Sequence, residues 1–171
     1  MEKYEMAIEQ YEIWAEAAFV VGAQERLTMA QLYYQLERKD DSLRSVKLGI
    51  SEAEAKGILP KESFWALGTA LYNEKNQMDK VIDYLEKLVT HYPKWKYWKQ
   101  LGGMFGAQER MTDQLVAYEV IYLNGELTKE SDVLAMAYMY LGAEVPYRAA
   151  KIIEKGIKDK IVEKNFKHYD L

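Results

Sequence analysis

Cysteine is absent from this 171-residue chain, and histidine and proline number only two and three. The missing thiols exclude disulfides, thiolate zinc sites and cysteine nucleophiles together. They leave the compartment open, because the cytosol and the bacterial periplasm both accept thiol-free proteins. His91 and His168 are far apart in the sequence, and neither has a partner at metal-ligand or triad spacing, so no catalytic or metal constellation is expected. Carboxylate pairs such as Glu52 with Glu54, or Asp40 with Asp41, fall on charged helix faces or at a cap, where nothing would shift their pKa for acid–base work. The glycines of "LGG" and "GTALYNEKN" lack phosphate-loop spacing and a following lysine and hydroxyl. No cofactor is therefore expected.

Long apolar runs are missing too. "AAFVVGA" is far short of the roughly 20 residues of a spanning helix, and "MEKYEMAIEQ" lacks the basic-then-apolar order of a signal peptide. The net charge of −4 is spread along the chain with both signs interspersed, which argues against nucleic acid or an anionic membrane as partner.

What remains is a chain that is 49% hydrophobic and 29% charged, a globular composition. It shows no strand-like alternation. Apolar residues recur at three and four, which predicts helices over 2–20, 24–38, 41–56, 61–74, 78–91, 94–106, 111–124, 130–142 and 146–158, with another starting near 163. Gly22, Gly57, Gly125 and Gly142 would end helices, and Asp41, Ser42, Ser131 and Asp132 would supply N-caps. Pro60 and Pro93 would sit at helix boundaries. Helices of this length joined by short turns make antiparallel hairpins, in a closed bundle or a stacked array.

A fixed period selects the array. The pentapeptide GAQER occurs at Gly22–Arg26 and Gly106–Arg110, but its spacing is no multiple of the period that emerges. Trp98, Leu101, Gly102 and Phe105 are preceded by Phe64, Leu67, Gly68 and Leu71, 34 residues upstream, and Tyr84 and Tyr118 keep that spacing. Leu134, Ala135 and Tyr138 follow at 33, with Ala149 and Ile153 behind them. Met29, Ala30, Tyr33 and Leu36, then Ser42, Val46 and Gly49, precede at 38. Small residues at 68, 102 and 135 would let the helices of a hairpin approach. Large ones at 71, 105 and 138 would fill the space between hairpins. Lys80 and Gln114 occupy a place that favours a small residue, so packing there should be looser.

W-x2-L-G-x2-Y followed by a small residue and an aromatic, at a period of 34, resembles the tetratricopeptide repeat (TPR) signature. The resemblance covers nearly the whole chain. It implies an all-α fold, a right-handed superhelical array of antiparallel helix hairpins with nine or ten helices. The array would form one domain over 1–171, with a lone second helix in 1–22, units over 23–58, 61–94, 95–128 and 129–160, and the start of another in 162–171. Tyr4, Ala7 and Tyr11 read as a second helix, and Phe166 and Tyr169 as the apolar side of a new first helix. A chain that opens and closes partway through a repeat predicts a piece of a longer array.

In this family the concave wall, lined by the first helix of each hairpin, is the usable surface. The expected wall is Gln31, Tyr34 and Gln35, then Trp65, Thr69, Tyr72 and Asn73, then Lys96, Lys99 and Gly103, then Asp132, Met136, Met139 and Tyr140. Exposed rings and methionines beside amides suit a peptide or helix in a groove. The cluster "YPKWKYWKQ" alternates lysines with aromatics, which could stack bases or hold an acidic peptide; net acidity disfavours the first. The expected function is a non-enzymatic scaffold for a protein or peptide partner. The stretches "YPKWKYWKQLGGMFG" and "LTKESDVLAMAYMYLGAEVPYRAAKIIEKGI" are similar to TPR proteins that accompany bacterial TonB energy-transduction systems. That similarity implies a periplasmic protein whose partner is a TonB complex component or an outer-membrane transporter. Two rivals stay open: a homo-oligomeric component of a secretion or pilus-assembly system, and a cytoplasmic adaptor clamping acidic peptide tails.

Overall fold

The computed structural model describes residues 2–163. Among them are nine α-helices and no strand: α1 (Glu2–Ala17), α2 (Ala23–Gln35), α3 (Lys39–Ala55), α4 (Glu62–Glu74), α5 (Met78–His91), α6 (Trp95–Ala107), α7 (Met111–Leu123), α8 (Glu130–Gly142) and α9 (Pro146–Lys158). The helix expected from about 163, with Phe166, His168 and Tyr169, lies outside the described residues. The expected elements therefore stand, with two shortened. α1 stops at Ala17 ahead of the Ala18–Val21 stretch, and α2 stops at Gln35.

The helices pair as hairpins α2–α3, α4–α5, α6–α7 and α8–α9. The chain falls into two compact units, Met1–Tyr92 and Pro93–Leu171. In the first, α1 packs on α2 and α3 on α4; in the second, α7 packs on α8. Each first helix, α2, α4, α6 and α8, is 13 residues long. Each is closed by a turn whose second residue is left-handed: Glu37 (φ 57°), Asn76 (54°), Glu109 (59°) and Glu144 (60°). These equivalent turns recur at 39, 33 and 35 residues, not at the expected 38, 34 and 33.

The predicted side-chain N-caps are not used. α3 begins at Lys39, before Asp41 and Ser42, and α8 at Glu130, before Ser131 and Asp132; neither start has a side-chain cap bond. Ser42 is instead fully buried, and its hydroxyl donates to the Ala30 carbonyl at 2.7 Å across the hairpin. A small residue on α2 lets the two backbones come that close.

Glycine does the same job in the next two hairpins. A Cβ on Gly68 would drive into the Tyr84 ring, and one on Gly102 would stand 3.0 Å from the Tyr118 ring. Tyr84 fills the space so gained and packs edge-on against Trp65 and Tyr72, with centroids 5.1 and 5.0 Å away. Burial pushes the Tyr84 and Tyr118 hydroxyls to higher pKa. In the last hairpin the register differs from expectation: Ala137 is buried and Tyr138 is exposed, so Tyr140, not Tyr138, fills the core. In the second hairpin it is Val81, not Lys80, that turns inward.

Counted from the helix starts, the eleventh residue of every first helix is a buried ring: Tyr33, Tyr72, Phe105 and Tyr140. Two of these make the same polar tie to the preceding second helix. Tyr33 donates to Glu12 of α1 at 2.9 Å, and Arg38 pairs with that carboxylate at 3.0 Å. Tyr140 donates to Glu119 of α7, which also accepts from Arg148 at 3.3 Å. Burial first, and the Glu12 bond second, raise the Tyr33 pKa to about 12. Tyr140 moves the same way for the same reasons. In the first unit the two hairpins are further joined by Lys39–Glu74 (2.8 Å), Lys75–Asp40 (2.6 Å) and the Tyr34 hydroxyl on Glu74 (2.8 Å).

Candidate protein-binding surface

A helix presents about 100° of turn per residue, so a register error of one position moves a side chain from the outward face to the hairpin interface. In α2 and α6 the expected register holds. Gln31, Gln35, Lys96 and Gly103 are exposed, while Tyr34 and Lys99 are half-buried. In α4 and α8 it does not. Trp65, Tyr72, Met136 and Tyr140, expected on an open wall, are at most 5% exposed. Trp65 and Tyr72 hold Tyr84 between them, Met136 lies in the second unit's core, and Tyr140 is tied to Glu119. Of the rest, Asn73 is exposed, and Thr69, Asp132 and Met139 are half-buried. The Thr69 hydroxyl donates to the Trp65 carbonyl within its own helix.

By distance from the helix start, Gln31 and Gly103 correspond to Ala70 in α4 and Tyr138 in α8. Tyr138 is 56% exposed and was missed because the alignment followed the hydrophobic pattern. The closing-turn segments "QLER", "EKNQ", "AQER" and "GAEV", each with its left-handed residue third, are the sequence signal that puts Tyr138 in register with Gln31 and Gly103.

Lys99 and Asp132 meet in a 2.6 Å ion pair between α6 and α8. A lysine so engaged is a poor clamp for an acidic tail. The exposed Lys96 ammonium stands over the ring of its neighbour Tyr97 at 4.5 Å, so the lysine–aromatic cluster is partly folded onto itself.

An apolar concavity lies in the second unit. Between the start of α7 and the end of α8 runs a groove of about 490 Å³, lined by Met111, Leu115, Ala135, Tyr138 and Met139, with Gly142 and Ala143 at one end. Met111 is 59% exposed at its mouth. In the first unit, a hollow of about 440 Å³ on α4 and α5 has Trp65 and Tyr84 in its wall and Asp83, Lys87 and His91 around it. Among the described residues no cluster of histidines and carboxylates could hold a metal ion. No helix among them is long and apolar enough to cross a membrane.

These hairpins, with a small residue facing the second helix and a ring one turn from the closing turn, make a TPR-like all-α array. No protein-family model matches the chain, and no curated protein does. Solved structures do share the fold. A crystal structure of MamA aligns with a TM-score of 0.62 at 15% identity, over 92% of this chain and 88% of that one. The AMB-1 form of MamA gives 0.66 at 14%, over 95% and 86%. MamA from Desulfovibrio magneticus RS-1 gives 0.59 at 14%, over 91% and 84%.

Proposed function

We propose that the chain is a non-enzymatic scaffold that binds a protein partner through an amphipathic helical segment seated on the second unit. One observation carries this reading: the α7–α8 groove, in which Met111 and Tyr138 offer large apolar surface around a half-buried floor of Leu115 and Met139. Unbranched methionines adapt to different side chains, and a tyrosine supplies contact area at low entropy cost. The fold, shared with MamA, is one that presents such grooves by stacking hairpins.

The finer assignment, to a periplasmic partner in a TonB complex or an outer-membrane transporter, rests on the resemblance of residues 92–106 and 127–157. The Lys99–Asp132 pair favours it over an adaptor for acidic tails, which would need free lysines on successive first helices.

Selection of peptides from a display library on the full chain tests the groove. Apolar amphipathic sequences should be enriched, and the variant Met111→Glu/Tyr138→Ala should lose them by tenfold or more, with helical content unchanged. Equal binding to the variant overturns the reading. For the finer assignment, co-purification of the native protein with TonB components is expected, and a cytoplasmic native protein removes it.

A further inference from the structure

α1 carries a surface stripe that its packing on α2 does not use. Glu2, Met6, Glu9, Ile13 and Glu16 follow one another at intervals of four and three, the spacing that keeps residues on one line along a helix. All five are exposed, Met6 by 63% and Ile13 by 56%. Three carboxylates thus alternate with two large apolar side chains, and the exposed Phe19 and Val20 continue the apolar surface just past the helix.

α9 presents the opposite chemistry. Arg148, Lys151, Lys155 and Lys158 recur at three and four on its exposed face, beside Tyr147, which is 72% exposed. Arg148 pairs with Glu119 of α7, Lys151 with Glu154, and Lys155 with Asp159 just past the helix end; these are exposed pairs of little strength, and four cations against three anions leave the face weakly positive. Its buried side, Ala149, Ile152, Ile153 and Gly156, is committed to the core.

We propose that α1 of one copy docks on α9 of a second copy, with Glu2, Glu9 and Glu16 against the Arg148–Lys158 row and Met6 and Ile13 against Tyr147. Charge complementarity between two faces of one sequence is the argument for a second copy as the occupant. Each copy offers one α1 face and one α9 face, so association rises with concentration. One helix pair is a small interface, and pairing between exposed charges is screened by salt; the association is weak and salt-sensitive. It is independent of the α7–α8 groove.

Sedimentation of the full chain tests it. The average mass should rise with concentration at low salt and return to monomer in about 0.5 M salt, where the screening length is a few ångström. The charge reversals Glu9→Lys/Glu16→Lys and Lys151→Glu/Lys158→Glu should each give a monomer, and mixing the two variants should restore association. The neutral variant Glu9→Gln/Glu16→Gln, which leaves the helix surface nearly unchanged, should weaken association about tenfold. A chain that is monomeric throughout, association indifferent to these substitutions, or a mixture that stays monomeric overturns the proposal. Met111→Glu should leave association intact, which separates this test from that of the groove.

Discussion

At the scale of single residues, Glu37, Glu109 and Glu144 hold left-handed backbone where glycine would be unstrained. Such a position costs a non-glycine residue about 1 kcal/mol. Glu109→Gly should therefore raise stability by up to about 1 kcal/mol, the gain being partly offset by a freer unfolded chain, and denaturant titration checks it. Gly68 sits in the reverse situation. Gly68→Ala pushes a methyl into Tyr84 and should cost about 1–3 kcal/mol. Tyr84→Val should recover part of that loss in the double variant, so the two effects must be less than additive. Additive losses would mean the contact is not what limits the site.

Titration belongs to this scale as well. Tyr33 is held neutral in the fold, with its pKa raised to about 12 from an ordinary 10. Its contribution is complete below pH 10 and is lost as pH rises from 10 to 12. Alkaline unfolding should therefore steepen in that window, and Tyr33→Phe should flatten it. Bonding to Lys39 and Tyr34 lowers the Glu74 pKa, and bonding to Lys75 lowers that of Asp40. Their contribution runs the other way: present above the ordinary carboxylate range and lost as pH falls through their lowered values.

Among elements, α1 depends on α2 through the small cluster of Ile8, Val21, Met29 and Tyr33 and on the Glu12 bonds. Glu12→Gln keeps the volume but weakens the bonds from Tyr33 and Arg38 by about 1 kcal/mol. Amide exchange in α1 should accelerate severalfold while α4 and α5 stay protected. The equivalent change at Glu119 should loosen the seam between α7 and α8. Nearly every helix was legible at this scale, because period and length are local properties. Register was not. The expected wall positions lie on the open face of α2 and α6, but are one residue out on α4 and two on α8. Hydrophobic runs such as "FWALGTALY" and "VLAMAYMYL" are apolar on nearly every side. They do not declare which side is outward.

For the whole molecule, we propose that the two compact units act as one repeat domain. Trp14 and Trp65 report on the first and Trp95 and Trp98 on the second. Tryptophan fluorescence, read in variants that keep only one unit's pair, should give coincident denaturation midpoints. Two separated midpoints would make the units independent domains.

The sequence by itself determined the helices, their pairing into hairpins and the absence of thiol chemistry, since each follows from composition or from contacts between near neighbours. Tertiary structure decided which faces are open. GAQER shows why. In its first copy Gly22 precedes α2, and Gln24, Glu25 and Arg26 lie within its first turn. In its second copy Gly106 lies in the last turn of α6, and Glu109 is the left-handed residue of the closing turn. The two copies, identical in sequence, adopt different conformations. Five residues cannot set their own conformation when the energy of burying the flanking helices is larger than any local preference.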